Sequence, residues 1–281
     1  MIRTIILMVV LMLIFMFVGN AIAGEQGMMI AFLMACGMNF FSYFFSDKMV
    51  LKQYKAIEVT AQSEPRLYSI VARLAETAGL PMPKVYIIPE QVPNAFATGR
   101  NPNHAAVAAT QGLLKTLSEQ EIEGVLAHEM SHVKHYDILI GSVAAVFAGA
   151  ISMLVNVSRY NAAARSQIAD NRRQSGRGGV LAMVLMPIAA TIIQMSISRT
   201  REYKADEGAA YLTRHPEWLM SALSKLDDYA QNYRMQRATS QTAHMFIINP
   251  FSGLGSLSGL FSTHPSTKDR LARLEQLKKE M

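Results

Sequence analysis

The chain contains 281 residues, of which 51% are hydrophobic and only 17% are charged, whereas roughly 25% are charged in a typical soluble domain. So apolar a composition excludes a mainly disordered chain, and a single cysteine, Cys36, excludes a disulfide scaffold. The formal net charge of +6 accompanies no recognisable nucleic-acid-binding motif, so no nucleic-acid partner is expected.

Four uncharged apolar segments divide the chain, and each is about 20 residues long, the length of a helix that crosses a membrane. One such segment is compatible with the central helix of a soluble protein, but four indicate an integral membrane protein. The segments are residues 4–23, 28–46, 138–157 and 178–198.

The first two segments predict an N-terminal transmembrane hairpin over residues 1–46, because Gly24-Glu25-Gln26-Gly27 between them is typical of a tight turn. A cleavable signal peptide that ends at Ala23 is the alternative for the first segment. Basic residues flank the hairpin, so the positive-inside rule places the N-terminus and the chain after residue 47 in the cytoplasm. These residues are Arg3, Lys48, Lys52 and Lys55.

Residues 47–137 predict the first part of a water-facing α+β domain with a small β-sheet. Apolar residues recur at helical spacing over residues 64–79, and three short segments have strand character. A capping box at Ser118-Glu119-Gln120-Glu121 then begins a helix that is expected to continue to about Asp137. The predicted strands are Lys84 to Ile88, Asn94 to Thr98 and Ala105 to Thr110.

This capped helix carries His128-Glu129-Met130-Ser131-His132. Histidines four residues apart lie on one helical face, so both imidazoles can bind one zinc ion. Glu129 follows the first histidine and is expected to act as a general base toward a water molecule that the metal activates. The pattern predicts a catalytic site with one Zn²⁺ per chain, although another divalent metal is compatible with the same ligands.

A catalytic zinc site needs a third protein ligand. His135 is about 10 Å along the helix from His128, too far to share its metal, and it stands where the longer metzincin pattern requires glycine. The first glutamate after the motif helix is Glu202, and Asp206 follows it by one helical turn. We therefore predict Glu202 as the third ligand and Asp206 as the acceptor of a ligand's ring N–H. A charged surface turn at the membrane boundary is the alternative.

The second apolar pair, residues 138–198, is expected either to span the membrane or to lie embedded in it. Its connecting segment, residues 158–177, contains five arginines and one aspartate, so spanning would place a basic loop outside, against the positive-inside rule. Pro187 is expected to kink the fourth segment. Either arrangement returns residues 199–281, the second part of the water-facing domain, to the side of the membrane on which His128 lies.

The chain resembles the HtpX family of bacterial membrane-bound zinc endopeptidases, gluzincins related to the eukaryotic CAAX prenyl endopeptidases. The resemblance covers nearly the whole chain, because several unrelated motifs occur in the same order and spacing. They are the N-terminal hairpin, Asn94-Ala95-Phe96-Ala97, the His-Glu-x-x-His helix, the second apolar pair, Glu202-x-x-x-Asp206, and Thr263-His264-Pro265 before an amphipathic helix with Leu271, Leu274 and Leu277.

The resemblance implies a mainly α membrane protein of the bacterial inner membrane with a zincin-like protease domain facing the cytoplasm. It implies cleavage of misfolded or damaged membrane proteins in quality control and stress response. It also suggests that the segment from Asn94 to Thr98 is an edge strand that holds extended substrate, with Asn94, Ala95 and Phe96 as candidate contacts. His264 and Arg270 become candidates for stabilising the oxyanion, and Asp137 is either a partner of a ligand or simply the helix end.

Two alternatives belong to other functional classes. A transporter or channel with a regulatory zinc site is disfavoured, because the four apolar segments contain no ionisable side chain apart from Cys36 and Tyr43. A silent scaffold with structural zinc would require a closed four-ligand site, whereas a site open to water indicates catalysis.

Overall fold

The computed structural model describes residues 2–144, 146–147, 198–232 and 265–281. Most of the second apolar pair and His264 therefore lie outside the described residues. The helices are α1 Ile2–Gln53, α2 Pro65–Ala78, α3 Gln111–Thr116, α4 Glu119–Lys134, α5 Arg199–Thr213, α6 Pro216–Asn232 and α7 Thr267–Glu280. The strands are β1 Ile57–Val59, β2 Lys84–Ile88, β3 Ala95–Gly99 and β4 Ala105–Thr110, with a 3-10 turn at Pro102–His104.

The sheet is small and mixed, with the strand order β1-β2-β4-β3. β2 and β4 are parallel, whereas β1 pairs with β2 and β3 pairs with β4 in antiparallel fashion. β3 is therefore an edge strand, and its free side faces α4. This arrangement confirms a mainly helical fold with a small sheet.

α4 lies at the centre of the described part of the water-facing domain, between α2, α5 and α6. Ser118 caps its first turn, and the reciprocal hydrogen bond from Ser118 N–H to Glu121 completes the capping box. Val125, Leu126 and Met130 are fully buried in the main core. Polar side chains on so buried a helix need partners, since unpaired polar groups are costly in a protein interior.

α4 ends at Lys134, three residues before the expected end at Asp137. Tyr136 adopts a left-handed conformation with φ of 59°, which the helix cannot continue through. The resulting turn brings the Asp137 N–H back to the carbonyl of His132 at 3.0 Å. The early end thus places Asp137 beside His132.

α1 is an apolar hairpin whose two arms are separated at Ala23 and Gly24, where the backbone leaves helical geometry. Gly24 has a φ of +61°, a conformation that glycine adopts without steric cost. The arms lie side by side, since Asn39 Nδ2 donates to the Met8 carbonyl at 3.2 Å. Among the described residues, Ala23–Gln53 is one helix long and apolar enough to cross a membrane, and Thr4–Phe17 is a shorter apolar helix.

The apolar hairpin contacts both the second apolar pair and the edge strand. Leu139 and Val143, in the described helical start of that pair, pack against Leu7 of α1. On β3, the Thr98 hydroxyl lies 2.7 Å from the hydroxyl of Ser142, which is between Leu139 and Val143 in the second apolar pair. The free edge of the sheet is therefore held directly beside the apolar segments.

Candidate metal centre

Three side chains from two helices converge at one point. His128 and His132 lie one turn apart on α4, and Glu202 comes from the first turn of α5. The two histidine Nε2 atoms are 3.2 Å apart. The Glu202 carboxylate oxygens lie 3.7 Å from His128 Nε2 and 3.6 Å from His132 Nε2.

These separations fit a tetrahedral zinc site. Ligand atoms at zinc–ligand distances of about 2.0–2.1 Å are separated from one another by about 3.3–3.4 Å in a tetrahedron. All three donor atoms lie within 4.8 Å of one another, and they are the nitrogen and carboxylate types that catalytic zinc takes. The structure thus brings together the three residues that the sequence singles out as ligands.

The charges around the site favour a cation. Burial lowers the pKa of His132, but its hydrogen bond to Asp137 and the negative charge of Glu202 outweigh burial and raise this pKa to about 9. The carboxylates that favour a proton on the imidazole also favour a metal cation held between the same side chains. The donor set and its electrostatics therefore both fit a divalent metal.

Carboxylates hold the far nitrogens of both imidazoles. Asp206 Oδ1 lies 2.9 Å from His128 Nδ1, and Asp137 Oδ2 lies 3.4 Å from His132 Nδ1. A proton on each Nδ1 leaves the Nε2 lone pair free to face the metal. Arg201 Nη1, on the turn before Asp206, lies 3.4 Å from Asp137. The structure places Asp206 and Asp137 where carboxylate partners of the ligands are expected.

Close helix packing brings Glu202 to the histidines. The face of α5 toward α4 carries small residues, including Ala205 and Ala209, which are buried. A Cβ atom added at Gly208 would lie 2.2 Å from the hydroxyl of Ser131 on α4. The absence of a side chain at Gly208 therefore permits the approach of α5 that the third ligand requires.

Glu129 faces the free edge of β3. Its Oε2 atom accepts a hydrogen bond from the Ala97 N–H at 2.9 Å. The side chain is buried, with 7% of its residue surface exposed, and it lies one position beyond His128 on α4. Glu129 is thus oriented toward the strand edge at which an extended peptide would add.

Backbone alternation identifies the residues of β3 whose backbone groups face away from β4. Thr110 N–H donates to the Asn94 carbonyl, so Asn94 and Phe96 face β4, whereas Ala95 and Ala97 face away from it. Of the three positions predicted to contact substrate, Ala95 alone therefore presents its backbone to the free edge. Ala97, the next residue of that edge, lies within the predicted segment from Asn94 to Thr98 but was not among the three candidate contacts, although period-two alternation identifies it. The buried Phe96 side chain packs instead against the ring of Tyr54, 5.4 Å away.

Arg270 lies on the far side of His128 from the donor atoms. Its guanidinium forms two hydrogen bonds with Asp206, at 2.6 and 2.9 Å, and its Nη2 atom lies 3.4 Å from His128 Nδ1. An oxyanion donor would have to face the side of the Nε2 atoms. The geometry therefore favours contact with Asp206 over the oxyanion role suggested for Arg270.

The Asp206 carboxylate is electrostatically compensated. Burial raises the pKa of Asp206, but the charge of Arg270 and the hydrogen bonds from His128 and Arg270 more than offset burial and hold this pKa below its usual range. An ionised Asp206 accepts hydrogen bonds and donates none, which suits a carboxylate that holds the His128 N–H.

Comparison with known proteins gives matches over most or all of the chain. Residues 61–278 match the family model of peptidase family M48. A protease HtpX homolog from Campylobacter hominis is 67% identical over 281 residues, which cover 100% of this chain and 99% of that protein. A second, from Campylobacter curvus, is 63% identical over 278 residues, which cover 98% of this chain and 96% of that protein.

A solved structure shares the fold. The crystal structure of S. mikatae Ste24p matches with a TM-score of 0.53 at 17% sequence identity. The match covers 94% of this chain and 62% of the Ste24p chain, so this protein spans less than two thirds of that longer protein. At this identity, the likeness concerns the fold alone.

Proposed function

This chain belongs to peptidase family M48, and we propose that it is a zinc endopeptidase of the cytoplasmic membrane that cleaves misfolded or damaged membrane proteins on the cytoplasmic side. The family assignment confirms the resemblance to HtpX proteases and the expectation of a metalloprotease. A transporter or channel is not favoured, because the HtpX protease homologues match along essentially the whole chain.

The convergence of His128, His132 and Glu202 carries the proposal. Their donor atoms lie at separations suited to tetrahedral zinc, and no fourth metal-ligating side chain joins them among the described residues. Zinc held by these three ligands alone would keep a fourth position for water. When bound there, zinc supplies Lewis-acid chemistry, polarising the scissile carbonyl and lowering the pKa of a water molecule. We assign zinc because two imidazoles and one carboxylate are a set that catalytic zinc sites use.

Glu129 is proposed as the general base. It accepts a proton from the attacking water molecule and passes that proton to the amine of the leaving peptide. Its carboxylate lies beside the free edge of β3 through the contact with Ala97, so substrate backbone added at that edge comes within its reach. Ala95 and the carbonyl of Ala97 are proposed to hydrogen-bond this extended backbone, since the Ala97 N–H already donates to Glu129.

The position of β3 supports substrates that lie close to the membrane. Phe96 packs on Tyr54 just after α1, and the Arg100 guanidinium lies 5.6 Å from the ring centre of Phe44 in the apolar hairpin. Thr98 hydrogen-bonds Ser142 in the second apolar pair. An unfolded segment next to a membrane span would therefore reach the edge strand without leaving the membrane surface.

The charge distribution supports the proposed orientation. Lys48, Lys52 and Lys55 lie at the end of α1 nearest the sheet, and such basic residues are retained on the cytoplasmic side. Packing of Leu139 and Val143 against α1 supports a second apolar pair that enters the membrane beside the hairpin. A C-terminal tag that is protected from external protease in spheroplasts, but not in inverted vesicles, would support this orientation.

The decisive experiment measures metal and activity together. The full chain is purified in detergent as wild type, as Glu202→Ala, and as Glu207→Ala, an exposed glutamate on the same helix that serves as the control. The wild type and the control are expected to bind about one zinc per chain and to cleave casein, whereas Glu202→Ala loses both. Retention of both by Glu202→Ala would overturn the ligand assignment.

A further inference from the structure

Arg270 is a fully charged side chain in the interior of the molecule. It lies in the first turn of α7, after the capping residue Ser266, and only 1% of its surface is exposed. Leu274, one turn further, packs in the main hydrophobic core. The same face of the C-terminal helix thus contributes one core residue and one buried cation.

Arg270 and His128 bind the same carboxylate. Arg270 Nε donates to Asp206 Oδ2 at 2.9 Å, and Nη2 donates to Oδ1 at 2.6 Å. Oδ1 also lies 2.9 Å from His128 Nδ1. A His128 tautomer that binds metal through Nε2 carries its proton on Nδ1, so both nitrogens around Oδ1 are donors. The 3.4 Å between Arg270 Nη2 and His128 Nδ1 therefore reflects their shared acceptor, Oδ1, and not a hydrogen bond between the two nitrogens.

A bidentate ion pair fixes the orientation of a carboxylate more completely than a single hydrogen bond does. Two parallel N–H···O bonds define the plane of the Asp206 carboxylate, and this plane directs Oδ1 at His128. With Arg270 removed, Asp206 would be a buried anion that retains the His128 N–H, with a carboxylate plane no longer held by two donors. A lysine would retain the charge but not the planar fork of donors.

We propose that Arg270 is a positioning residue of the metal centre, which clamps Asp206 and thereby orients His128 for metal binding. The proposal rests on the proposed function above and extends it to the C-terminal helix. Docking of α7 becomes a condition for high metal affinity, since the clamp reaches across 64 residues of chain from Arg270 to Asp206.

The first test compares zinc affinity and kinetics. Full-length Arg270→Met and Arg270→Lys are purified beside wild type and Arg273→Met, a control one turn along α7 whose guanidinium stacks on Tyr203 at 3.7 Å. Competition with a chromogenic chelator is expected to show zinc binding weakened about 10- to 100-fold in Arg270→Met, less in Arg270→Lys, and little change in the control. Excess zinc is expected to restore much of the cleavage rate of Arg270→Met.

An oxyanion role predicts a different outcome. A donor to the transition state would lower kcat without changing zinc affinity, and excess zinc would not restore the rate. That result for Arg270→Met would overturn the positioning proposal.

A double-mutant cycle separates positioning from general support of the fold. Arg270→Met is repeated in an Asp206→Asn background, which also avoids leaving one buried charge unpaired if the single variant folds poorly. If Arg270 acts through Asp206, the second substitution changes zinc affinity by less than about two-fold. Additive losses would mean that Arg270 acts by another route and would overturn the proposal.

Glu202→Ala in the same assay separates the two hypotheses. If Glu202→Ala loses zinc while the Arg270 variants bind it normally, the clamp alone is wrong. If Glu202→Ala retains both zinc and activity, the proposed metal centre itself is wrong.

Discussion

The apolar hairpin and the metal centre differ in opposite ways from an ordinary soluble protein, in which apolar side chains are buried and charged ones are exposed. The hairpin, α1, exposes large hydrophobic side chains, with Leu33 63% exposed and Phe17 75% exposed. The metal centre buries ionisable groups, among them His128 and Glu202. Exposing apolar side chains to water costs free energy, and so does burying charged groups in a protein interior of low dielectric constant. The lipid proposed to surround the hairpin and the metal cation proposed for the site would offset these two costs.

The largest expected effect tests the metal centre. Glu129→Gln removes the proposed base but leaves His128, His132 and Glu202 in place. We expect the cleavage rate to fall by about 10²- to 10⁴-fold, while zinc content stays at the wild-type level. Casein cleavage and metal analysis on the same sample measure both quantities.

Glu123→Gln serves as the control for this substitution. Glu123 lies on the same helix and pairs with Arg73 at the surface, away from the site. Full activity in Glu129→Gln would remove the catalytic interpretation of the buried carboxylate.

The hairpin is tested by placing a charge on its exposed face. Leu33→Asp should disfavour membrane insertion by about 3 kcal/mol, because a carboxylate is costly within the hydrocarbon core. The fraction of protein that resists alkaline carbonate extraction should fall. Ile57→Asp is the control, since Ile57 is 59% exposed but lies in β1, outside the hairpin. Equal behaviour of the two variants would show that Leu33 does not face lipid.

Glycine substitutions compare packing in the two regions. Gly208→Ala forces a Cβ atom to within 2.2 Å of the Ser131 hydroxyl and should destabilise the fold by about 1–3 kcal/mol. Zinc affinity should also fall, since α5 carries Glu202. Gly37→Ala in the hairpin has nothing within 4 Å of the added atom, so it should not destabilise the fold and should leave zinc affinity unchanged. Thermal unfolding and chelator competition provide the measurements, and unchanged zinc binding in Gly208→Ala would contradict the packing argument.

The smallest effect concerns Glu121, at the start of α4. Burial raises the pKa of Glu121, but hydrogen bonds from Lys225 and Ser221 outweigh burial and lower this pKa from 4.5 to about 2. A carboxyl whose pKa is lowered by folding stabilises the fold above the unfolded pKa, and that contribution disappears as the pH falls through the folded pKa. Lys225→Met should therefore destabilise the protein by about 1 kcal/mol above pH 4.5.

The pH dependence gives this prediction its check. The stability difference between wild type and Lys225→Met should shrink as the pH is lowered from about 4.5 toward about 2. Lys278→Met is the control, because Lys278 and Glu217 form an exposed pair at 3.7 Å. A difference that does not depend on pH would mean that Lys225 acts through packing of its side chain.

Local spacing was sufficient to predict the ligand arrangement on each helix. Residues four apart lie on one helical face whatever the rest of the chain does, so His128 and His132, and likewise Glu202 and Asp206, were predictable as pairs. The capping box at Ser118 and the apolar length of the hairpin are equally local signals. Each of these features depends only on residues within about one helical turn or within one apolar segment.

Contacts between distant segments were decided by the tertiary structure. The sequence did not indicate that α4 would stop at Lys134, nor that the left-handed Tyr136 would turn Asp137 toward His132. It suggested Arg270 for the oxyanion, whereas packing of α7 directs that side chain to Asp206. The pairing of Ala97 with Glu129 depends on which side of β3 faces α4.

The amino-acid sequence by itself determined which side chains can donate to a metal and how they are spaced along a helix. It also determined the length of each apolar segment. The tertiary structure decided which carboxylate serves which imidazole and which strand edge faces the base. Helical spacing is a property of neighbouring residues, whereas these pairings depend on how α4, α5, α7 and β3 pack against one another.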